Sequence, residues 1–173
     1  MSGSSTRSGA SVVAERTGVD APTHRTLFLA VAIGWFAFDQ LTKTWALNAL
    51  DGPPVQVVWT LQFTLAYNSG ASFGMGTGFG PWIALGAMVV VGALVWTGRS
   101  VRSRLMAVAL GMIAGGASGN ICDRLLRGDA GFLHGSVVDF IDLQWWPVFN
   151  VADIGVVCGA IVLVIATFRG TEQ

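Results

Sequence analysis

The sequence predicts an α-helical polytopic membrane protein with four transmembrane helices, and three observations carry that prediction. Of 173 residues 53% are hydrophobic and only 12% charged, whereas soluble domains carry about 25% charged residues. Four long apolar segments recur along the chain, and the basic residues collect in alternate connections between them. Lys+Arg and Asp+Glu balance at 10 each, so no global field points to a nucleic acid. The apolar content excludes overall disorder, and two cysteines, Cys122 and Cys158, are too few for a disulfide scaffold.

Residues 1–24 are rich in Ser, Thr, Gly and Ala without an apolar period, and predict a disordered cytoplasmic tail before one membrane domain, 25–169. The first span covers about 27–50. Its run LFLAVAIGWFAF precedes Asp39 and Lys43 and is long enough, at about 1.5 Å per residue, to cross about 30 Å of hydrocarbon. That run is too long, and too far from the N-terminus, for a cleavable signal peptide. The second span, about 79–97, has no charge and places Trp82 and Trp96 near its ends, where aromatic belts belong. The third, about 105–121, is rich in Gly and Ala, which suits close helix packing or the close passage of a peptide over residues 114–119. The fourth, about 148–168, carries Asp153 and then an apolar run, and 170–173 form a short cytoplasmic C-terminus.

Orientation follows from Arg7, Arg16 and Arg25, then Arg99, Arg102 and Arg104, then Arg169, which place both termini in the cytoplasm. The connections 51–78 and 122–147 therefore face outward. Residues 55–68 alternate with period two and predict strand, with a bend or hairpin because about 13 residues exceed the usual 5 or 6. Residues 136–144 are a shorter strand able to pair with it.

The acids then define the site. Asp39 lies about 18 Å into an outward-running span and Asp153 about 7 Å below the outer boundary of an inward-running one. Asp123 ends the third span, and Asp139 just precedes the fourth. Intramembrane charges cost about 2.5 to 3.5 kcal/mol each and are functional candidates by default. A structural reading competes at each. Asp39 and Lys43, at i and i+4, can neutralise each other while Lys43 snorkels upward. Asp123 beside Arg124 reads as an ionised orienting pair. Asp153 has no cation near it in sequence.

His24 and His134 form no metal-binding pair and H-E-x-x-H does not occur, so no metal and no cofactor is expected. Carboxylate remains in quantity, and two carboxylates sharing a proton can activate a water. The residues alone leave both Asp139 and Asp123 open as the partner of Asp153. They also leave a proton-coupled small membrane transporter as the alternative, against which the crowding of charge on one side and the lack of an internal repeat count.

Five ordered segments bear a resemblance. D-Q-L-T-K (39–43), N-S-G-A-S-F-G (68–74), G-N-I-C-D-R (119–124), V-V-D-F (137–140) and F-N-V-A-D (149–153) are similar to the signature blocks of bacterial lipoprotein signal peptidase, signal peptidase II. Ser72 stands where a second alanine is common. The resemblance implies an aspartic endopeptidase of the bacterial cytoplasmic membrane, four helices with a small extracytoplasmic β-cradle, and a site near the extracytoplasmic face. It implies a diacylglyceryl-prolipoprotein substrate, cut on the N-terminal side of the lipidated cysteine, contact with membrane lipid, and inhibition by globomycin. Carried over by motif, the catalytic pair is Asp139 and Asp153. Asn68, Gly70, Asn120, Arg124 and Asn150 match positions that line the substrate or inhibitor site, and Asp39, Lys43 and Asp123 match supporting positions.

Overall fold

The computed structural model describes residues 23–70, 79–128 and 131–170. The expected tail falls almost wholly outside them, as do residues 71–74 of the N-S-G-A-S-F-G segment, Asp129 and residues 171–173. The described chain runs α1 (Arg25–Ala49), β1 (Val55–Val58), β2 (Leu61–Asn68), α2 (Gly80–Gly98), α3 (Arg104–Leu126), β3 (Val137–Asp142) and α4 (Val151–Gly170). Among these, α2, α3 and α4 are long and apolar enough to cross a membrane. α1 is the longest helix, 25 residues, but Asp39, Gln40 and Lys43 interrupt its apolar sequence.

Two helix boundaries differ from the sequence-based expectation. α3 continues to Leu126, so Asp123 and Arg124 stand on the helix rather than opening the outer connection. α4 begins at Val151 rather than 148, because Phe149 is taken by main-chain pairing: its N–H donates to Ile141 O at 3.0 Å and its carbonyl accepts from Ile141 N at 2.9 Å. Asn150 then caps α4. Its Oδ1 accepts from Asp153 N at 3.1 Å while Asp153 Oδ2 accepts from Asn150 N at 3.2 Å, the reciprocal arrangement of a capping box.

Small residues set the helix spacing. Gly111 and Gly115 of α3 lie against the carbonyls of Phe28 and Ala32 of α1, Gly116 against the Ala152 carbonyl of α4, and Gly119 against the Asp39 carboxylate. α3 is thus the central helix, with α1 and α4 drawn onto it and α2 on another side. The glycines of 114–119 are occupied in helix packing, not in making room for a substrate. Trp35 of α1 fills the space over Gly155 of α4 and donates from Nε1 to Val151 O at 3.1 Å.

The period-two segment is a hairpin, as its length suggested. β1 and β2 pair antiparallel, and β2 pairs antiparallel with β3, bringing Asn68 opposite Val137 and Ala66 opposite Asp139. Phe63 and Phe140 pack edge-on against Trp45 near the end of α1, at centroid distances of 5.4 and 6.0 Å. This aromatic cluster seats the sheet on the helices.

Candidate active site

A cavity of about 580 Å³ lies between α2, α3 and α4 under the end of the sheet. Ala84 and Ala87 of α2 and Ala117 of α3 give it small walls, while Ile83 and Val157 stand at its exposed margin. Its polar lining brings together Asn68, Gly70, Asn120, Arg124, Asp139 and Asp153.

Each side chain has a structural reason to be there. Antiparallel pairing of β2 with β3 sets Asn68 beside Asp139, and Asn68 Nδ2 donates to Asp139 Oδ2 at 3.3 Å. The capping box holds Asp153 in the first turn of α4. Asn150 joins the two acids: its Nδ2 donates to Asp139 Oδ1 at 2.7 Å, and its main-chain N donates to Asp153 Oδ2. Asn120, on α3, donates from Nδ2 to Asp153 Oδ1 at 3.0 Å. Arg124 Nη2 donates to Gly70 O at 2.9 Å, and Gly70 N donates to Asn68 Oδ1 at 3.1 Å, which ties the loop after β2 to α3. The other terminal nitrogen, Nη1, is buried without a hydrogen-bond partner among the described residues. Burial, and next the charge of Asp153, push the Asp139 carboxyl up to about 7, against hydrogen bonds from Asn68 and Asn150.

A second group of polar residues lies behind the first. Lys43, fully buried, contacts Asp39 Oδ2 at 2.9 Å and Asp123 Oδ2 at 2.8 Å. It does not snorkel. Asp39 Oδ1 accepts from Ala152 N at 2.8 Å, so α1 holds the start of α4. Asp123 pairs with Lys43 and, through Oδ1, with Arg127 Nε at 2.8 Å, and its Oδ2 accepts from Val138 N at 3.2 Å. Those contacts replace the expected Asp123–Arg124 pair: Arg124 instead reaches Gly70. They also separate the two candidates for the partner of Asp153, because Asp123 is absorbed by cations behind the cavity wall while Asp139 faces the cavity.

Gln40 and Arg127 escaped the sequence reading. Gln40 Nε2 donates to Gly119 O at 3.2 Å and Asp123 Oδ1 at 3.3 Å, and its Oε1 accepts from Arg127 Nη2 at 3.4 Å. The i, i+4 spacing of Asp123 and Arg127 was an available signal, as was the N-x-x-D spacing of the capping box.

Comparisons with known proteins agree along the whole membrane region. The profile of the family described as Signal peptidase (SPase) II matches residues 31–169. A protein of Mycobacterium avium (strain 104) named Lipoprotein signal peptidase is 47% identical over 165 residues, covering 91% of this chain and 90% of its own. A protein of the same name from Mycobacterium bovis (strain BCG / Pasteur 1173P2) is 46% identical over 153 residues, covering 87% and 75%. A solved structure described as a bacterial membrane enzyme determined by the in meso method at 2.3 Å resolution superposes with a TM-score of 0.74 at 29% identity, over 86% of this chain and 92% of its own. With the family profile and close relatives covering nearly all of the described residues, the chain belongs to the signal peptidase II family.

Proposed function

We propose that this protein removes signal peptides from prolipoproteins as an aspartic endopeptidase, with Asp139 and Asp153 as the catalytic pair. The observation that carries the reading is the placement of both acids on one cavity, each hydrogen-bonded to Asn150. The cavity's extent between α2 and α4, with apolar Ile83 and Val157 at its margin, suits a peptide that arrives laterally from lipid. Arg124 Nη1, without a partner among the described residues, offers a donor for a carbonyl of that peptide.

In the reaction, a water lies between the two carboxyls and the scissile carbonyl. Asp153 takes a proton from the water as its oxygen attacks the carbonyl carbon, and protonated Asp139 donates to the carbonyl oxygen. On collapse one hydroxyl of the tetrahedral intermediate returns its proton to Asp139, the C–N bond breaks as the leaving nitrogen takes the proton held by Asp153, and the products are a carboxylic acid, which ionises, and the amine of the cysteine. Asp139, raised to about 7, suits the partner that begins the cycle protonated. The substrate is a precursor whose cysteine carries a diacylglyceryl group, with the cut on the N-terminal side of that cysteine. Asn68, Gly70, Asn120 and Asn150 orient the pair and the peptide, while Asp39, Lys43 and Asp123 support them.

α1 serves as the fourth crossing. Its polar Asp39 and Lys43 are buried, while Leu29, Ile33, Phe38 and Leu41 are exposed, which suits a helix that turns its charges inward and its apolar face to lipid. The arginines at 99, 102 and 104 favour the cytoplasmic side for the α2–α3 connection. The sheet and the site then lie at the outer face of the bacterial inner membrane. A proton-coupled transporter finds no support in the family.

The test is cleavage in detergent of a lipidated precursor, read as a gel shift. The diacylglyceryl form is cut and the reaction is blocked by globomycin. Equal cleavage of the unlipidated precursor rejects the lipid requirement, and no cleavage of either rejects the peptidase.

A further inference from the structure

We infer that Lys43 is a positioning residue for catalysis, setting the orientation of the Asn120 amide and through it the orientation of Asp153. The inference rests on the proposed aspartate pair but concerns a residue buried behind it.

An ammonium has three N–H donors and no acceptor. Lys43 spends all three: on Asp39 Oδ2 at 2.9 Å, Asp123 Oδ2 at 2.8 Å, and Asn120 Oδ1 at 2.8 Å. With both carboxylates fixed by main-chain amides, those of Ala152 and Val138, the third donor has one direction left. That direction meets the Asn120 side chain, whose two ends differ only as donor and acceptor. The ammonium repels the NH₂ end and selects the oxygen. The NH₂ group is thereby turned to Asp153, where Nδ2 donates to Oδ1 at 3.0 Å. In the flipped state Asn120 would set hydrogens against Lys43 and an oxygen against Asp153, and both contacts would be repulsive.

The same choice reaches Asp139. Asn120 Oδ1 has a second lone pair, which accepts from Asn150 Nδ2 at 3.0 Å, and Asn150 Nδ2 also donates to Asp139 Oδ1. One buried cation thus determines the sense of two adjacent amides, and each amide presents donors to a candidate catalytic carboxyl. A purely structural Lys43 would need only Asp39 and Asp123. The third contact reaches into the cavity wall.

The test replaces Lys43 by methionine, which keeps the length and removes every donor, and compares kcat with KM on the lipidated precursor. In Lys43→Met, kcat falls by about 10²-fold, the scale of a misplaced catalytic group, with KM little changed. In an Asn120→Ala background the same substitution lowers kcat no further, since its effect passes through Asn120. Losses that multiply in the double variant overturn the inference, as does a change confined to KM. If Lys43→Met does not fold, Asn120→Asp decides. It keeps an oxygen for Lys43 but loses the N–H to Asp153, so kcat falls at constant KM, and an unchanged kcat overturns the inference. A readout free of activity is the side-chain amide resonance of ¹⁵N-labelled Asn120, protected from exchange in the wild type and unprotected in Lys43→Met. Equal protection in both overturns the inference, even if the wild type cleaves no precursor and the peptidase reading itself fails.

Discussion

Asp139 and Asp153 differ in their surroundings. Asp139 is buried on a strand, and its carboxyl is raised from 3.8 to about 7 by burial and by the charge of Asp153. Asp153 sits half-buried in the first turn of α4, its carboxylate accepting from two N–H donors, Asn120 Nδ2 and the Asn150 main chain, while its own N–H donates to Asn150 Oδ1. Asp139→Asn and Asp153→Asn should each insert and fold yet lose turnover by about 10² or more, the scale of general acid–base loss; full turnover in either removes that residue from the pair. The raised value also has a sign in stability. Between about pH 4 and 7 folded Asp139 keeps a proton that the unfolded chain has released, so its contribution is complete below the unfolded value and is lost as pH rises through about 7. Denaturation at pH 4.5 and at pH 7.5, as buffer choices spanning about that window, should show wild type losing more stability with rising pH than Asp139→Asn. Turnover should fall above about 7 as the proton leaves.

Helix packing delivers those residues to one place, and the close approach nearest the buried charges is at Gly119. A Cβ there would enter the Asp39 carboxylate, while Gly116, one turn earlier, abuts the Ala152 carbonyl at the start of α4. Gly119→Val should displace Asp39 from both Lys43 and the Ala152 amide, lowering the melting temperature and the activity together; Gly92→Val, at a position with open space, should do neither. Much at this scale was legible beforehand. The helices follow from apolar length, the hairpin from period two, and its β3 partner from a second short alternation. The ends of α3 and α4 were not legible, because the first depends on helical continuation through charged residues and the second on Phe149 pairing across to Ile141. The partner of Asp153 was not legible from physics alone either. Adjacency suggested that Arg124 neutralises Asp123, but the cations that do so are Lys43, 80 positions away on α1, and Arg127, one helical turn on. Distant pairing of that kind leaves no trace in local spacing, and only the ordered motifs singled out Asp139.

At the scale of the whole molecule the arrangement is lopsided: α1, α3 and α4 are bound together by glycine contacts and the Lys43 network, whereas α2 packs chiefly on α3. The space left between α2 and α4 is the cavity, so α2 acts as a wall whose small residues determine how much room a peptide finds. Ala87 is half-buried and lines that wall, and its methyl group takes no part in the hydrogen bonds of the two acids or of Lys43. Ala87→Trp should fill part of the cavity without removing any hydrogen bond of the site. A side chain that displaces substrate but leaves the acids in place weakens binding more than chemistry, so KM for the lipidated precursor should rise about tenfold, equivalent to about 1.4 kcal/mol of lost binding, while saturating turnover stays near wild type. Trp at the neighbouring Leu85, which is exposed rather than cavity-lining, serves as the control. An unchanged KM in Ala87→Trp, with the folded protein intact, would mean that the peptide reaches the acids by a path that avoids the α2–α4 cleft.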